Sequence, residues 1–402
     1  MNARADRFPL FDSLRAIAAL SVLGFHVAFF HLVVSDTPIR AYTAHLDVGV
    51  TVFFLISGFL LYRPFVRARL RNEETPHAGA YAWRRFLRIT PAYWVALTIV
   101  TLWLSIDGVF TLRGIPTYYG FAQIYDFKTS LGGIGQAWTL CVEITFYAFL
   151  PLWALVMRRV GGGVRSELVA LALLWVLSLV YKVWALTKVG PNDLTSGPYL
   201  QPLPNFLDQF AMGMALAVIS VHLELTERVP RAVALLRRHD WIPWLFAAFF
   251  FWLVSTQIGF TGRPFEGASR REFLGRHELY SLVALGLVVS AVFAVPGRGL
   301  AGRILGNRVL AYLGLISYGI YLYHFAVVHQ LNEWIGRSLG GPAVFQFVAN
   351  GALAVLGAAL IASVSYYVVE RPALRLKRLV SPPVPAERGE ATSEPAPQLP
   401  AP

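Results

Sequence analysis

Long apolar stretches recur along almost the whole chain, at about the 20 residues that one membrane-spanning helix requires. A soluble domain usually has about 25% charged residues, whereas here only 14% are charged and 56% are hydrophobic. Because a bilayer admits only helices and closed barrels, the pattern predicts an all-α membrane protein, a bundle of about ten transmembrane helices. The predicted spans are 10–34, 47–66, 86–106, 137–157, 168–187, 206–222, 241–259, 279–296, 309–330 and 343–367.

The basic residues predict how this bundle is oriented. The formal net charge is +12, and most Lys and Arg fall in the loops on the side of the N-terminus. By the positive-inside rule, the N- and C-termini are both cytoplasmic. The excess charge therefore indicates contact with the headgroups of the lipid bilayer, and no nucleic acid is expected as a partner.

The sequence predicts one domain followed by a short tail. Residues 1–380 form the multi-span membrane domain, whereas residues 381–402 are rich in Pro, Ala and Glu and are expected to be a disordered cytoplasmic tail. The single cysteine, Cys141, lies in an apolar stretch and is interpreted as a small buried hydrophobic residue.

Several ionisable residues lie inside the predicted spans, where charges are costly and mark functional candidates. Arg15 and His26 are eleven residues apart and share one helix face at about 100° per residue. Asp12 precedes Arg15 by one turn and can pair with it. A structural alternative remains open, in which Asp12 and Arg15 form an interfacial ion pair and His26 is a satisfied core histidine.

Three ionisable residues are expected at one depth in the membrane. At a rise of about 1.5 Å per residue, His26, Glu143 and His324 all lie near the outer ends of their spans. A buried imidazole and a buried carboxylate relieve each other's desolvation when they pair. We therefore expect His26 to act as a base that Glu143 orients.

Basic residues are concentrated at the start of the third span, in Arg84, Arg85 and Arg88. Three cations at a helix N-terminus are unfavourable unless an anion is nearby. They are either an anchor for lipid phosphate or a clamp for the phosphates of a nucleotide-like ligand. The outer loop around Arg263, Arg270, Arg271 and Arg276 is likewise either a solvated rim or a site for an anionic acceptor.

In the second span, Ser57 and Gly58 leave little side-chain bulk, which favours close helix packing or the approach of a slender ligand. The spacing of the Cys, His, Asp and Glu residues suggests no metal site.

The sequence resembles acyltransferase family 3, the integral membrane O-acyltransferases. The resemblance covers residues 10–372 and depends on the order of six motifs. They are the opening segment at 11–26, the second span at 49–60, ArgArgPheLeuArg at 84–88, the Trp…Glu…Phe-Tyr segment at 138–147, SerTyrGlyIleTyrLeuTyrHis at 317–324 and GluArgPro at 370–372.

The resemblance implies a multi-pass enzyme of the plasma (inner) membrane. It would move an acyl group, most simply acetyl, from cytoplasmic acyl-CoA to a hydroxyl of a glycan, glycolipid or glycoside, with no metal. Arg84, Arg85 and Arg88 would hold the donor phosphates beside Ser57 and Gly58. Direct transfer and an acyl-histidine intermediate are both compatible with the sequence.

The resemblance also suggests residues that contact the substrates. Trp138, Tyr147, Tyr321 and His324 are expected to bind substrate, while His26, Glu143, Arg15 and Asp12 form the catalytic group. The alternative function is a multi-span transporter that uses the buried Arg, His and Glu as a proton or substrate relay.

Overall fold

The computed structural model describes residues 8–31, 37–190, 197–226, 229–258, 269–335 and 340–379. Within these ranges the regular secondary structure is entirely helical. In chain order the α-helices are α1 (Leu10–His31), α2 (Arg40–Thr43), α3 (Val48–Leu70), α4 (Ala78–Leu104), α5 (Gly114–Tyr119), α6 (Trp138–Val160), α7 (Val164–Lys188), α8 (Gly197–Leu200), α9 (Leu207–Thr226), α10 (Arg231–Arg238), α11 (Ile242–Thr256), α12 (Arg270–Phe293), α13 (Gly299–Leu305), α14 (Arg308–Leu315), α15 (Ser317–Trp334), α16 (Ala343–Ser365) and α17 (Arg371–Arg375).

The all-α membrane fold predicted from the sequence is confirmed. Among the described residues, eight helical segments are long and apolar enough to cross a membrane: Leu10–His31, Arg40–Leu70, Ala78–Leu104, Gly135–Val160, Val164–Lys188, Leu207–Thr226, Arg270–Phe293 and Ala343–Arg375. Helices α14 and α15 make a ninth if they are one span, although they are bent by 75°.

The remaining predicted span, 241–259, corresponds to a shorter helix than expected. Helix α11 has 15 residues, and at a rise of about 1.5 Å per residue it is shorter than the hydrocarbon core of about 30 Å. The predicted tail, residues 381–402, lies outside the described residues, as does Arg263 of the outer loop.

Helix α1 occupies the centre of the bundle. It packs against α3, α12, α14, α15 and α16, and Leu14, Ala19 and Val27 are fully buried. A helix surrounded by other helices presents little surface to lipid. The polar residues of α1 are therefore inside the protein, which is where an ionisable group in a span is least costly.

Helices α3 and α9 approach closely through two glycines. A Cβ atom on Gly58 would lie 2.3 Å from the carbonyl oxygen of Phe210, and one on Gly213 would lie 2.2 Å from the carbonyl oxygen of Leu55. Gly58 thus faces the backbone of α9, which leaves no room at this position for a slender ligand. Of the two alternatives that the sequence left open for this position, the structure matches close helix packing.

Replacing Gly213 by Ala should lower the melting temperature of the detergent-solubilised protein by several degrees. The added Cβ overlaps the α3 backbone, and overpacking of this kind costs about 1–3 kcal/mol. Gly275→Ala is the matched control, because a Cβ on Gly275 in α12 meets no atom within 4 Å. Equal melting temperatures for the Gly213 variant and the wild type would contradict the close packing.

Candidate active site

Two adjoining cavities lie inside the bundle, and most of the predicted site residues line one or both of them. The arginine chamber, as we call the first, has a volume of about 250 Å³ and is lined by Arg15, Ser57, Arg85, Arg88, Glu143 and Tyr147 among others. The histidine chamber has a volume of about 520 Å³ and is lined by His26, Asp47, Trp138, Gln209, Arg276 and His277 among others.

The two chambers meet at shared side chains. Val50 of α3 and Tyr321 of α15 line both of them. The same four helices, α1, α3, α6 and α15, contribute lining residues to each chamber. Val50 and Tyr321 therefore mark the boundary between the two chambers.

Acidic partners hold two of the guanidinium groups of the arginine chamber. Arg15 Nη1 donates to Asp12 Oδ1 at 3.1 Å, which is the ion pair expected from the sequence. Arg88 Nη1 lies 3.8 Å from Glu370 Oε2, and the Glu370 side chain is almost fully buried. Glu370 ends a five-residue π-helix at Tyr366–Glu370, a distortion that is frequent at functional sites.

Glu143 belongs to the arginine chamber and is not the partner of His26 that we expected. Ser57 Oγ donates to Glu143 Oε1 at 2.6 Å, and Arg15 and Arg85 are its cationic neighbours. The carboxylate thus balances guanidinium charge and accepts from a hydroxyl. Equal depth along separate helices did not bring the imidazole and this carboxylate into contact.

The partner of His26 is a second histidine. His26 Nδ1 lies 3.1 Å from His324 Nε2, and the two ring centroids are 4.9 Å apart. His324 was expected to bind substrate, but its side chain is fully buried and contacts the ring of His26.

Backbone carbonyls determine where the protons of this histidine pair reside. His26 Nδ1 is 2.9 Å from the oxygen of Val22, and His324 Nδ1 is 2.8 Å from the oxygen of Tyr321. A carbonyl can only accept, so in the neutral rings both Nδ1 atoms carry the proton. The one proton on His26 Nδ1 is then shared between the oxygen of Val22 and the lone pair of His324 Nε2, and His26 Nε2 is the unprotonated nitrogen of a ring that lines the histidine chamber.

The other predicted substrate-binding residues are distributed over both chambers. Trp138 lines the histidine chamber, Tyr147 lines the arginine chamber and Tyr321 lines both. The Tyr321 hydroxyl donates to the carbonyl oxygen of Gln136 at 2.8 Å, which fixes the side chain at the junction. Cys141 is buried, as expected.

The three predicted arginines do not all enter the arginine chamber. Arg85 and Arg88 line it, whereas Arg84 is absent from the lining. The sequence analysis missed Lys377, which lies near all three. Burial and the charges of Arg85, Arg88 and Arg84 lower the pKa of Lys377 to about 8. Only the fold brings this lysine beside α4, nearly 300 residues earlier in the chain.

The remaining predictions concern the outer loop and metal binding. Arg270 and Arg271 are exposed at the start of α12, whereas Arg276 lines the histidine chamber. In the part of the chain that the structure describes, no group of three or more His, Cys, Asp or Glu residues is arranged to hold a metal ion.

Comparison with known proteins identifies relatives over nearly the full length of the chain. The family model described as an acyltransferase domain matches residues 9–368. Nodulation protein 10 of Rhizobium leguminosarum bv. viciae is 27% identical over 91% of this chain and 93% of its own length. Acyltransferase MdmB of Streptomyces mycarofaciens is 26% identical over 94% of each chain.

A third relative is considerably longer than this chain. Peptidoglycan O-acetyltransferase OatA of Listeria monocytogenes is 24% identical over 90% of this chain, and the match spans only 55% of the length of OatA. No solved structure was found to match.

Anion binding beside Arg85, Arg88 and Lys377 should weaken as the pH rises from about 7 to about 9. The pKa of Lys377 is about 8, so this side chain is mostly charged at the lower pH and mostly neutral at the higher one. Sulfate keeps a constant charge over this range, and its binding can be followed as the rise in melting temperature with concentration. In Lys377→Met the same pH change should have little effect, and an equal loss in both proteins would contradict a role for Lys377.

Proposed function

The chain belongs to acyltransferase family 3 and is a multi-pass membrane protein, and we propose that it transfers an acyl group from acyl-CoA to the hydroxyl of a sugar. The junction between the two chambers carries this proposal. Guanidinium groups lie on one side of Val50 and Tyr321, and the imidazole of His26, with its unprotonated Nε2, lies on the other. A donor with a charged head and a long thin arm suits this arrangement.

The donor enters through the arginine chamber. Its phosphates bind near Arg85, Arg88 and Lys377, where bidentate guanidinium contacts suit phosphate oxygens. The pantetheine arm passes Val50 and Tyr321 and brings the thioester to His26. We propose acetyl-CoA as the simplest donor, supported by the name of OatA, an O-acetyltransferase.

The chemistry uses the histidine pair in the histidine chamber. The acceptor oxygen attacks the thioester carbonyl carbon while His26 Nε2 removes the hydroxyl proton. As the C–S bond breaks, the thiolate leaves and takes that proton from the imidazolium to form the free thiol. His324 Nε2 accepts from His26 Nδ1–H throughout, which holds the ring in the required tautomer and stabilises its positive charge.

Glu143 has a different role from the one expected of it. It holds Ser57 and balances Arg15 and Arg85, so it shapes the donor site rather than orienting the base. With the N-terminus cytoplasmic, the arginine chamber opens towards cytoplasmic acyl-CoA, and the acceptor reaches the histidine chamber from outside the plasma membrane. The transporter alternative finds no support in the family match.

His26→Ala should abolish transfer while leaving acetyl-CoA binding within about twofold of wild type. Loss of a general base costs about 100-fold or more in rate. His324→Leu removes one of the two acceptors for His26 Nδ1–H and should lower kcat, with donor affinity retained. His31→Gln is the control, because this histidine of α1 is absent from the lining of both chambers. Near wild-type turnover in His26→Ala would eliminate the proposed base.

Donor affinity should depend on Arg85 more than on Arg84. Of these two arginines, Arg85 lines the arginine chamber and Arg84 does not. A charged hydrogen bond contributes about 1.5–3 kcal/mol, so Arg85→Gln should raise the Kd of acetyl-CoA about tenfold or more. Arg84→Gln should change it by less than about threefold, because Arg84 lies outside the lining of the chamber. S-acetylpantetheine lacks the nucleotide phosphates and should bind both variants alike. Equal losses in the two variants would argue against the chamber as the phosphate site.

A further inference from the structure

A group of charged side chains lies deep in the bundle, away from the histidine pair. Lys182 Nζ of α7 donates to Asp208 Oδ2 of α9 at 2.6 Å and to Glu278 Oε1 of α12 at 3.0 Å. The side chains of Lys182 and Asp208 are fully buried. Ser178 Oγ donates to the other carboxylate oxygen, Asp208 Oδ1, at 2.9 Å.

Structural support alone does not account for this group, since packed apolar residues stabilise a helix contact as well as a buried ion pair does or better. Ionisable residues inside a membrane span are functional candidates by default. The contacts that lead from Lys182 through Asp208 end at His277, which lines the histidine chamber. The charged group is therefore connected to the histidine chamber through His277.

Asp208 fixes the tautomer of His277. His277 Nε2 lies 3.3 Å from Asp208 Oδ2, and a carboxylate only accepts, so Nε2 carries the proton. The amide of Gln209, 3.0 Å from the same nitrogen, can turn its oxygen towards that N–H, and Gln209 Oε1 otherwise has no partner. His277 Nδ1 then serves as an acceptor for a ligand in the chamber.

His277 is part of a continuous aromatic wall. Its ring lies 5.6 Å from that of Phe206, centroid to centroid, and the Phe206 ring lies 5.5 Å from that of Trp138. All three line the histidine chamber, and His26 belongs to the same lining. The wall offers ring faces for packing and an oriented nitrogen for hydrogen bonding.

We propose that this wall is the acceptor subsite, and that it binds a sugar ring through stacking on Trp138 and Phe206 and a hydroxyl donated to His277 Nδ1. Lys182 and Asp208 are positioning residues that act through His277. The inference rests on the proposed acyl transfer to a sugar and adds the residues that bind and position this acceptor. The chamber volume of about 520 Å³ falls within the range of about 300–1,000 Å³ that small-molecule sites occupy.

The chemistry of the wall favours a sugar over a simple alcohol. A sugar presents an apolar ring face and several hydroxyls together, so it can use the aromatic rings and the polar groups at once. A site built to pair with a hydroxyl discriminates strongly against an analogue that lacks it, because its own polar groups are then left unpaired. Gln209 and Arg276 add further donors to this lining.

The test compares glycosides with cyclohexanol as acyl acceptors of the purified protein. Acetyl-CoA is the donor, p-nitrophenyl β-D-glucopyranoside and p-nitrophenyl N-acetyl-β-D-glucosaminide are the sugar probes, and ester products are measured by mass spectrometry. We expect kcat/KM for at least one glycoside to exceed that for cyclohexanol about tenfold or more. His277→Gln should raise the glycoside KM about tenfold, leaving the Kd of acetyl-CoA unchanged.

Two further variants separate positioning from folding. Lys182→Met combined with Asp208→Asn removes both charges at similar volume, so the protein should fold and bind acetyl-CoA normally, yet show the raised glycoside KM of His277→Gln. His222→Gln is the matched control, since His222 is exposed at the opposite end of α9, and it should behave as the wild type.

The outcomes distinguish this inference from the proposed function. An unchanged glycoside KM in His277→Gln overturns the subsite alone, whereas a wild type that binds acetyl-CoA but acylates no glycoside better than cyclohexanol overturns both the subsite and the sugar acceptor of the proposed function. A wild type that fails to bind acetyl-CoA overturns the acyl transfer on which the subsite rests.

Discussion

The low dielectric of the bilayer is the constraint on which the whole structure depends. Every backbone group in a span has to be satisfied within its own helix, and every charge has to find a partner or a cavity. The position of α1 meets this requirement, since other helices pack around it and its Arg15 and His26 line the two chambers. The two chambers follow from the same requirement, because they collect the ionisable groups that lipid excludes.

The chambers separate two kinds of chemistry that a transferase has to combine. Guanidinium groups and their carboxylates gather in one, and these guanidinium groups are complementary in charge to the phosphorylated donor that we propose. The other contains an imidazole whose tautomer is set by a backbone carbonyl and a second imidazole. Val50 and Tyr321 lie at the junction, which the acyl group of the donor that we propose has to cross.

Acidic residues perform a supporting function throughout. Asp12 pairs with Arg15, Glu370 lies beside Arg88, and Asp208 sits between Lys182 and His277. In each case a carboxylate holds a basic side chain that lines a chamber. Such partners restrict the rotamers of the groups that contact ligand, and precise positioning of this kind is what catalysis and specificity require.

Much of the fold and part of the site were predictable from local patterns. Nine of the ten apolar segments correspond to long helices or to the bent pair, because span length and hydropathy are properties of consecutive residues. The Asp12–Arg15 pair was predictable for the same reason, since residues three apart are neighbours on any helix. Gly58 was ambiguous, because a small residue suits a close helix and a slender ligand equally.

The sequence by itself determined that this chain is a helical membrane bundle and which ionisable residues it has to bury. Only the tertiary structure decided which of them meet. His26 contacts His324 instead of Glu143, and Lys377 joins the arginines of α4, because the order of helices around a bundle depends on side-chain packing between distant segments. Depth along a helix axis follows from counting residues, whereas the direction in which each side chain faces its neighbours does not.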